Sequence, residues 1–174
     1  MSRLLILGAG QYGKVALEIA EASRQFGRIA FLDDYSSAAI GRLSDLYKCT
    51  DDFDSAIVAI GNSEMRLKLI GQLIDAGYKV PVLIHPRAYV APSAVIGQGS
   101  FVEPMAMVHT DVSIGTGCII SAGTLINHNA VIGEGCHLNC GTIVGARVNV
   151  PACAKTDCGQ IIHQIYKCEG NRIG

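Results

Sequence analysis

A six-residue repeat in the second half of the chain restricts the possible folds more than any other feature. Counted from Val90 to Ile162, every sixth residue except Thr156 is aliphatic: Val90, Ile96, Val102, Val108, Ile114, Ile120, Ile126, Ile132, Leu138, Val144, Val150, Thr156 and Ile162. Val, Ile and Leu make up about a quarter of the chain, so chance alone would place about three of them at these thirteen positions. The residue four places later is small or β-branched throughout, with Gln160 as the exception. This pattern predicts a parallel β-helix in which three hexads form one triangular coil and residues eighteen apart stack on one another.

The predicted β-helix has two open ends. The 75 residues from Ala88 to Ile162 make about four coils. The first and last coils of such a solenoid expose unpaired strand edges, which need to be covered. We expect the N-terminal half of the chain to cover one end, and the C-terminal tail or an oligomer partner to cover the other.

The first half of the chain follows a different pattern, in which short apolar runs alternate with segments of helical spacing. The predicted strands are Arg3–Leu7, Ile29–Leu32, Ala56–Ile60 and Val80–Ile84, and the predicted helices are Gln11–Phe26 and Glu64–Ala76. Strands that alternate with helices indicate right-handed crossovers and a parallel sheet. We therefore predict an α/β, Rossmann-like half domain at residues 1–86, a parallel β-helix domain at 87–163 and a C-terminal tail at 164–174.

Composition excludes several classes of protein. Fourteen basic residues against fifteen acidic ones give a net charge of -1, which argues against a nucleic-acid-binding protein. No apolar run approaches the roughly 18 residues of a membrane span. The seven cysteines include no CxxC pair, so they predict neither a disulfide framework nor a metal site. We expect a protein of the reducing cytoplasm.

A glycine motif follows the first predicted strand. Gly8, Gly10 and Gly13 form the spacing GxGxxG where the first helix begins, and Asp33 lies twenty residues after Gly13. Glycines in this position allow a tight turn and close approach of a phosphate to the helix N-terminus, while an acidic residue can hold a nucleoside hydroxyl. The alternative is that the glycines serve only the packing of helix on sheet. Because the α/β unit is half the size of a dinucleotide fold, a mononucleotide portion is favoured over NAD.

Four motifs in the first half, ahead of the hexapeptide repeat, resemble one known family: Gly8-Ala9-Gly10-Gln11-Tyr12-Gly13-Lys14, Phe31-Leu32-Asp33-Asp34, Ala59-Ile60-Gly61-Asn62 with Arg66, and Leu83-Ile84-His85-Pro86. They resemble the bacterial sugar O- and N-acetyltransferases, which include sialic-acid O-acetyltransferases and UDP-4-amino-sugar N-acetyltransferases of bacillosamine-type pathways. The resemblance covers residues 3 to about 163. It implies a left-handed β-helix, acetyl-CoA as co-substrate with no metal, a nucleotide-linked amino sugar as acceptor, and a homotrimer.

The resemblance also implies a nucleotide-sugar site. Its residues are Gly10, Gln11, Tyr12, Gly13, Asp33, Asp34 and Gly61. Lys14 and Arg66 are further candidates because they could reach phosphates. For both, the alternative is an exposed, solvated side chain on a helix.

The implied general base is His128, since a neutral imidazole suits proton removal from an attacking amine at neutral pH. Relatives usually carry an acidic residue after this histidine, whereas this chain has Asn129. Either the base is weaker, or another group orients its ring. His137 lies nine residues beyond His128, half a coil away, so the two cannot share a site within one chain. The resemblance implies that His137 contacts acetyl-CoA or the acceptor across a subunit interface.

Stacking at intervals of eighteen residues adds three candidates beside His128. His109 lies one coil before Asn127 and is predicted to line the acceptor pocket. Gly145 and Ala146 lie one coil further on, where their backbone amides are candidate oxyanion donors in the acetyl-CoA site.

We therefore predict an acetyltransferase that moves acetyl from acetyl-CoA to the amino group of a nucleotide-linked 4-amino-dideoxy sugar. One alternative is O-acetylation of a sialic-acid-type sugar, because the acceptor atom cannot be read from the sequence. Another is a catalytically degenerate β-helix that serves as a binding scaffold, which Asn129 and the short C-terminus would suit. An NAD-dependent oxidoreductase is disfavoured by the small α/β unit.

Overall fold

The computed structural model describes residues 1–163 of the chain, so the predicted tail at 164–174 lies outside the described residues. The first part is an α/β unit whose elements are β1 (Ser2–Leu7), α1 (Gln11–Ser23), β2 (Phe26–Leu32), a 3-10 helix (Leu43–Lys48), β3 (Ser55–Val58) and α2 (Ser63–Asp75). The three strands are parallel in the order β2-β1-β3. This confirms the predicted alternation of strands and helices.

The central strand explains why this unit forms three layers. Leu4 to Leu7 are all fully buried, as expected for a parallel strand covered on both faces. Leu4 and Ile6 pack with the α1 residues Ala16 and Ile19, and the alternate leucines pack with α2. Helix α1 ends at Ser23, before the predicted Phe26, because Arg24 turns into the left-handed region with a φ of 55°.

The fourth strand predicted for this sheet belongs elsewhere. The segment Leu83–Ile84 (β4) pairs with Phe101–Val102, eighteen residues later, and so forms the first strand of the β-helix. The α/β sheet therefore has three strands rather than four. The six-residue repeat indicates the same assignment, because Ile84 lies six residues before Val90 and so extends the series of aliphatic positions by one hexad.

The β-helix has three flat faces built from two-residue strands that stack in parallel. The first face consists of β4, β7 (Phe101–Val102), β10 (Ile119–Ile120) and β13 (His137–Leu138). The second consists of β5 (Tyr89–Val90), β8 (Met107–Val108), β11 (Leu125–Ile126), β14 (Ile143–Val144) and β16 (Ile161–Ile162). The third consists of β6 (Val95–Ile96), β9 (Ser113–Ile114), β12 (Val131–Ile132) and β15 (Asn149–Val150).

The predicted inward positions form the core of this prism. The hexad residues from Val102 to Val150 are buried, and Cys118 and Cys136 are fully buried among them. At the corners one residue per turn has a positive φ, which glycine and short polar residues such as Asn129 (φ 59°) accept most readily. The repeat therefore fixes which side chains point inward and which project at a corner.

The α/β unit packs along the side of the prism, not across its end as predicted. Phe101 and Ile119 point outward from the first face and are fully buried in one cluster with Ile19 of α1. Leu67 and Ile70 of α2 lie against the corner between the third and first faces. Among the described residues, no helix has the length and apolar character that crossing a membrane requires.

Candidate active site

Two of the three motif glycines are needed for packing. A Cβ on Gly13 would lie 2.2 Å from the carbonyl oxygen of Gly8, and one on Gly8 would lie 2.9 Å from that of Ala59. Gly10 differs, because its missing side chain would point into open space with no atom within 4 Å. Gly10 also caps α1 with no side-chain hydrogen bond to the first-turn amides, the arrangement that suits a phosphate. The packing alternative therefore explains Gly8 and Gly13 but not Gly10.

Asp33 links the glycine loop to the segment that follows β2. Its Oδ2 accepts a hydrogen bond from the Ala9 amide at 2.8 Å, and its Oδ1 accepts from the amides of Tyr35 and Ser36, both at 2.9 Å. These three donors hold the pKa of Asp33 below its usual range. The neighbouring Asp34 accepts from the Leu43 amide at 3.1 Å. Both carboxylates shape the loops, and their predicted contact with a nucleoside stays a prediction.

Tyr12 faces the β-helix. Its hydroxyl donates to Glu103 Oε1 at 3.2 Å, and its ring packs against Phe101 at 5.3 Å and His137 at 6.3 Å between centroids. Glu103 also accepts from the Ala122 amide at 3.1 Å, and burial raises the pKa of this carboxyl and of Tyr12. Glu103 is not among the residues predicted from the sequence. Its position was an available signal, because it is the only charged residue that directly follows a buried hexad position between Val102 and Val144.

Two other predicted candidates lie near the start of α2. Gly61 is exposed and lines a cleft of about 500 Å³ between the α2 N-terminus and Lys155 of the β-helix. For Arg66, the predicted contact with phosphates and the alternative of an exposed, solvated side chain are both wrong. Its side chain is fully buried and donates to backbone carbonyls, since α2 packs directly on a corner of the prism. Lys14 is exposed on α1.

His128 lies at the corner between the second and third faces, and both of its neighbours hold it in place. Its Nδ1 lies 2.9 Å from Oδ1 of Asn129, and its backbone amide donates to Oδ1 of Asn127 at 2.8 Å. An amide oxygen can only accept, so this contact puts the ring proton on Nδ1. The lone pair is then on Nε2, which has no hydrogen-bond partner within residues 1–163. The group that orients the ring is therefore Asn129 itself.

The other residues predicted beside His128 have different outcomes. The His109 ring lies 6.3 Å from the His128 ring in an edge-to-face arrangement. The amide of Gly145 donates to the Ile162 carbonyl at 2.7 Å as part of the coil stacking. Gly145 therefore cannot supply the predicted oxyanion donor, and Ala146 is the remaining candidate.

His137 points outward from the first face, away from the corner that carries His128. Its Nε2 lies 3.4 Å from Oγ of Ser121, and its Nδ1 is buried with no partner among the described residues. Burial, together with the charges of Lys155 and Arg66, lowers the pKa of His137 to about 4, so its ring is neutral at pH 7. One chain thus carries two groups of candidate residues, here called half-sites, on different sides of the prism: Gly10, Tyr12 and His137 form one group, and His128 belongs to the other.

Comparison with known proteins gives this arrangement a family context. The family profile of the PglD N-terminal domain matches residues 3–73, and that of the bacterial transferase hexapeptide (six repeats) matches residues 93–128. UDP-N-acetylbacillosamine N-acetyltransferase of Bacillus subtilis is 30% identical over 112 residues, which cover 59% of this chain. The match spans about half of that relative, 51% of its length. Among the described residues, no group of side chains could hold a metal ion.

Solved structures match over a larger part of the chain. The acetyltransferase domain of PglB from Neisseria gonorrhoeae is 31% identical with a TM-score of 0.76, over 94% of this chain and 92% of that domain. A structure of that domain in complex with acetyl coenzyme A is 28% identical with a TM-score of 0.69, over 88% and 95% of the two chains. A mutant of perosamine N-acetyltransferase from Caulobacter crescentus, in complex with CoA and GDP-perosamine, shares the fold at 23% identity and a TM-score of 0.77, over 94% and 90%. This chain therefore belongs to the bacterial sugar acetyltransferases that join a PglD-type N-terminal domain to a left-handed β-helix of hexapeptide repeats.

Proposed function

We propose that this protein transfers the acetyl group of acetyl-CoA to the amino group of a nucleotide-linked 4-amino sugar. The observation that carries the proposal is the His128–Asn129 contact of 2.9 Å, which leaves Nε2 free to accept a proton. The names of its relatives support the substrate class, because they include a UDP-N-acetylbacillosamine N-acetyltransferase and an acetyltransferase domain bound to acetyl coenzyme A. All six cysteines among the described residues are free, which suits our proposal of a cytoplasmic location.

In the proposed mechanism the two half-sites have separate tasks. The open side of Gly10 and the amides of the first turn of α1 bind the diphosphate, which fixes the acceptor. The unprotonated sugar nitrogen attacks the thioester carbonyl while Nε2 of His128 takes one of its protons. A C–N bond forms, the tetrahedral oxyanion accepts a hydrogen bond from the Ala146 amide, and the C–S bond breaks. CoA leaves as a thiolate and is protonated by the imidazolium, which regenerates the base.

This mechanism requires two subunits, and the outer surface of the second face supports a homotrimer. Its outward side chains form an apolar stripe, with exposed fractions of 54% for Tyr89, 41% for Met107, 40% for Ile143 and 60% for Ile161. Contiguous exposed apolar surface of this kind marks a protein interface. The first face is already covered by its own α1, and the outward positions of the third face include the exposed polar residues Ser113 and Asn149, so the second face is the more apolar of the two open faces. We propose that His128 of one subunit completes the site of the next.

The oligomer is tested by sedimentation velocity on the wild type and on Ile143→Glu. A charge within the apolar stripe is expected to dissociate the trimer and abolish acetyl transfer. The matched control is Val131→Glu on the third face, where the side chain is 45% exposed and a trimer is expected to persist. A trimer with Ile143→Glu, or a wild-type monomer that is fully active, would contradict the proposed assembly.

The activity is tested with acetyl-CoA and a panel of UDP-, dTDP-, GDP- and CMP-linked sugars, with CoA thiol release as the readout. We expect release only with acceptors that carry a 4-amino group, and a product whose acetyl group resists mild base, as an amide does. A product that loses its acetyl group in mild base would instead establish O-acetylation. Failure of a folded protein to bind acetyl-CoA by calorimetry would establish the non-catalytic scaffold.

A further inference from the structure

Arg66 is the largest fully buried side chain in the described part of the protein, and its charge has no partner. No carboxylate among residues 1–163 forms an ion pair with it. An isolated buried charge is strongly destabilising unless hydrogen bonds compensate for its lost hydration. Arg66 therefore needs neutral acceptors for its five N–H groups, and the identity of those acceptors indicates what it does.

Two of the acceptors belong to the β-helix. Nε donates to the Gly117 carbonyl at 2.7 Å, and Nη2 donates to the Gly135 carbonyl at 2.8 Å. These glycines occupy the same corner position in successive coils, with φ values of 66° and 67°. The planar guanidinium can bridge two stacked coils in a way that the point charge of a lysine cannot. Gly135 also leads directly into the strand that carries His137.

Two further acceptors belong to the loop between β3 and α2, and Nη2 also lies 3.5 Å from Oγ of Ser63 at the start of α2. Nη1 donates to the Ile60 carbonyl at 2.8 Å and to the Gly61 carbonyl at 3.2 Å. The glycine motif rests on this loop, since a Cβ on Gly8 would lie 3.0 Å from Cγ1 of Ile60. One side chain thus joins the support of the glycine motif to the wall of the β-helix.

We propose that Arg66 is a positioning residue that holds the nucleotide-binding loops at a fixed distance from the β-helix. This inference rests on the proposed function. A nucleotide bound at the glycine motif holds its sugar amine at a fixed distance from these loops. A shift of the loops therefore moves the amine relative to the thioester. A misplacement of about 1 Å can lower a rate about a hundredfold. An amino sugar without a nucleotide is not anchored at these loops, so its reaction does not depend on where they lie.

The two acceptors provide the test. We would measure kcat/KM for a nucleotide-linked 4-amino sugar and for the same amino sugar without its nucleotide, in the wild type, Arg66→Lys and Arg66→Met. We expect Arg66→Lys to lower the value for the nucleotide-linked acceptor at least tenfold and the value for the free sugar less than twofold. The matched control is Lys68→Met, on the exposed side of α2, which should change neither. An equal loss with both acceptors would mean that Arg66 is merely structural, and would overturn the proposal.

A second measurement keeps the inference separate from the proposed activity. Hydrogen–deuterium exchange needs no substrate, and it applies even if the wild type transfers acetyl to neither acceptor. We expect Arg66→Lys to raise exchange at least tenfold at the hydrogen-bonded loop amides of Gly8, Ala9 and Ala59 while β1 stays protected. Unchanged exchange in these two loops would overturn the proposal. If Arg66→Met fails to fold, Arg66→Lys decides the outcome, because it keeps the charge and loses only the forked geometry.

Discussion

Replacing Asn129 by Asp exchanges one polar group beside the His128 ring and adds a full negative charge. The Nδ1–Oδ1 distance of 2.9 Å places the two charge centres about 4 Å apart once the ring is protonated. The contact is exposed, so a water-like dielectric applies and the attraction is worth about 1 kcal/mol. That energy stabilises the protonated ring and corresponds to about 0.7 pH unit. Left-handed backbone at residue 129 is accepted by Asp as by Asn, so the fold should not change.

The expected result is a shift in the pH dependence of kcat/KM. Below the midpoint of the acidic limb the base is already protonated, and stabilising that form moves the midpoint up by about 0.7 pH unit. A stronger base should also raise the plateau about twofold. The control is Asn149→Asp, which adds the same charge on the outer face of β15. Identical pH profiles for the two variants would refute the inference that Asn129 acts on the His128 ring.

Three further predictions concern the glycine motif, His137 and the core of the β-helix. Gly10→Ala should leave the melting temperature within about 2 °C of the wild type, because the added methyl meets no atom, yet weaken nucleoside diphosphate binding at least tenfold by calorimetry. Gly13→Ala, in contrast, should lower the melting temperature, because its added methyl group would lie 2.2 Å from a carbonyl oxygen. His137 has a pKa of about 4, below its usual 6.5, so the stability it contributes at pH 7 is lost as the pH falls through 6.5 towards 4. Scanning calorimetry should therefore show a smaller loss of stability between pH 7 and 5 in His137→Gln. Ile120→Ala, at a fully buried core position, should lower the free energy of unfolding by about 3 kcal/mol in urea titration, whereas Val131→Ala on the outer surface should change it by less than 1 kcal/mol.

Most of the fold could be predicted because the hexad is a local and strictly periodic pattern. The aliphatic positions from Val102 to Val150 became the core as expected, since each one must point inward if any of them does. The error at Leu83–Ile84 arose where the helix-and-strand alternation overlaps the first hexad. Both patterns fit that segment, and its partner at Phe101–Val102, one coil later, decides between them.

The candidate site was less predictable because its contacts join segments that are distant in sequence. Arg66 looked like an exposed helix residue, and only the packing of α2 on the Gly117 corner shows that it is buried. Glu103 was missed for the same reason, since its partner Tyr12 lies 91 residues away. The position of His109 beside His128 could be predicted, because stacking at intervals of eighteen places it there by counting alone.

The role of His128 as the general base of acetyl transfer can be tested by measuring kcat for His128→Ala beside the wild type. Both proteins would be given saturating acetyl-CoA and a nucleotide-linked 4-amino sugar, with CoA thiol release as the readout. We expect kcat to fall at least a hundredfold while the variant stays folded and binds acetyl-CoA with unchanged affinity. A His128→Ala variant that keeps more than about a tenth of the wild-type kcat would show that His128 is not the general base.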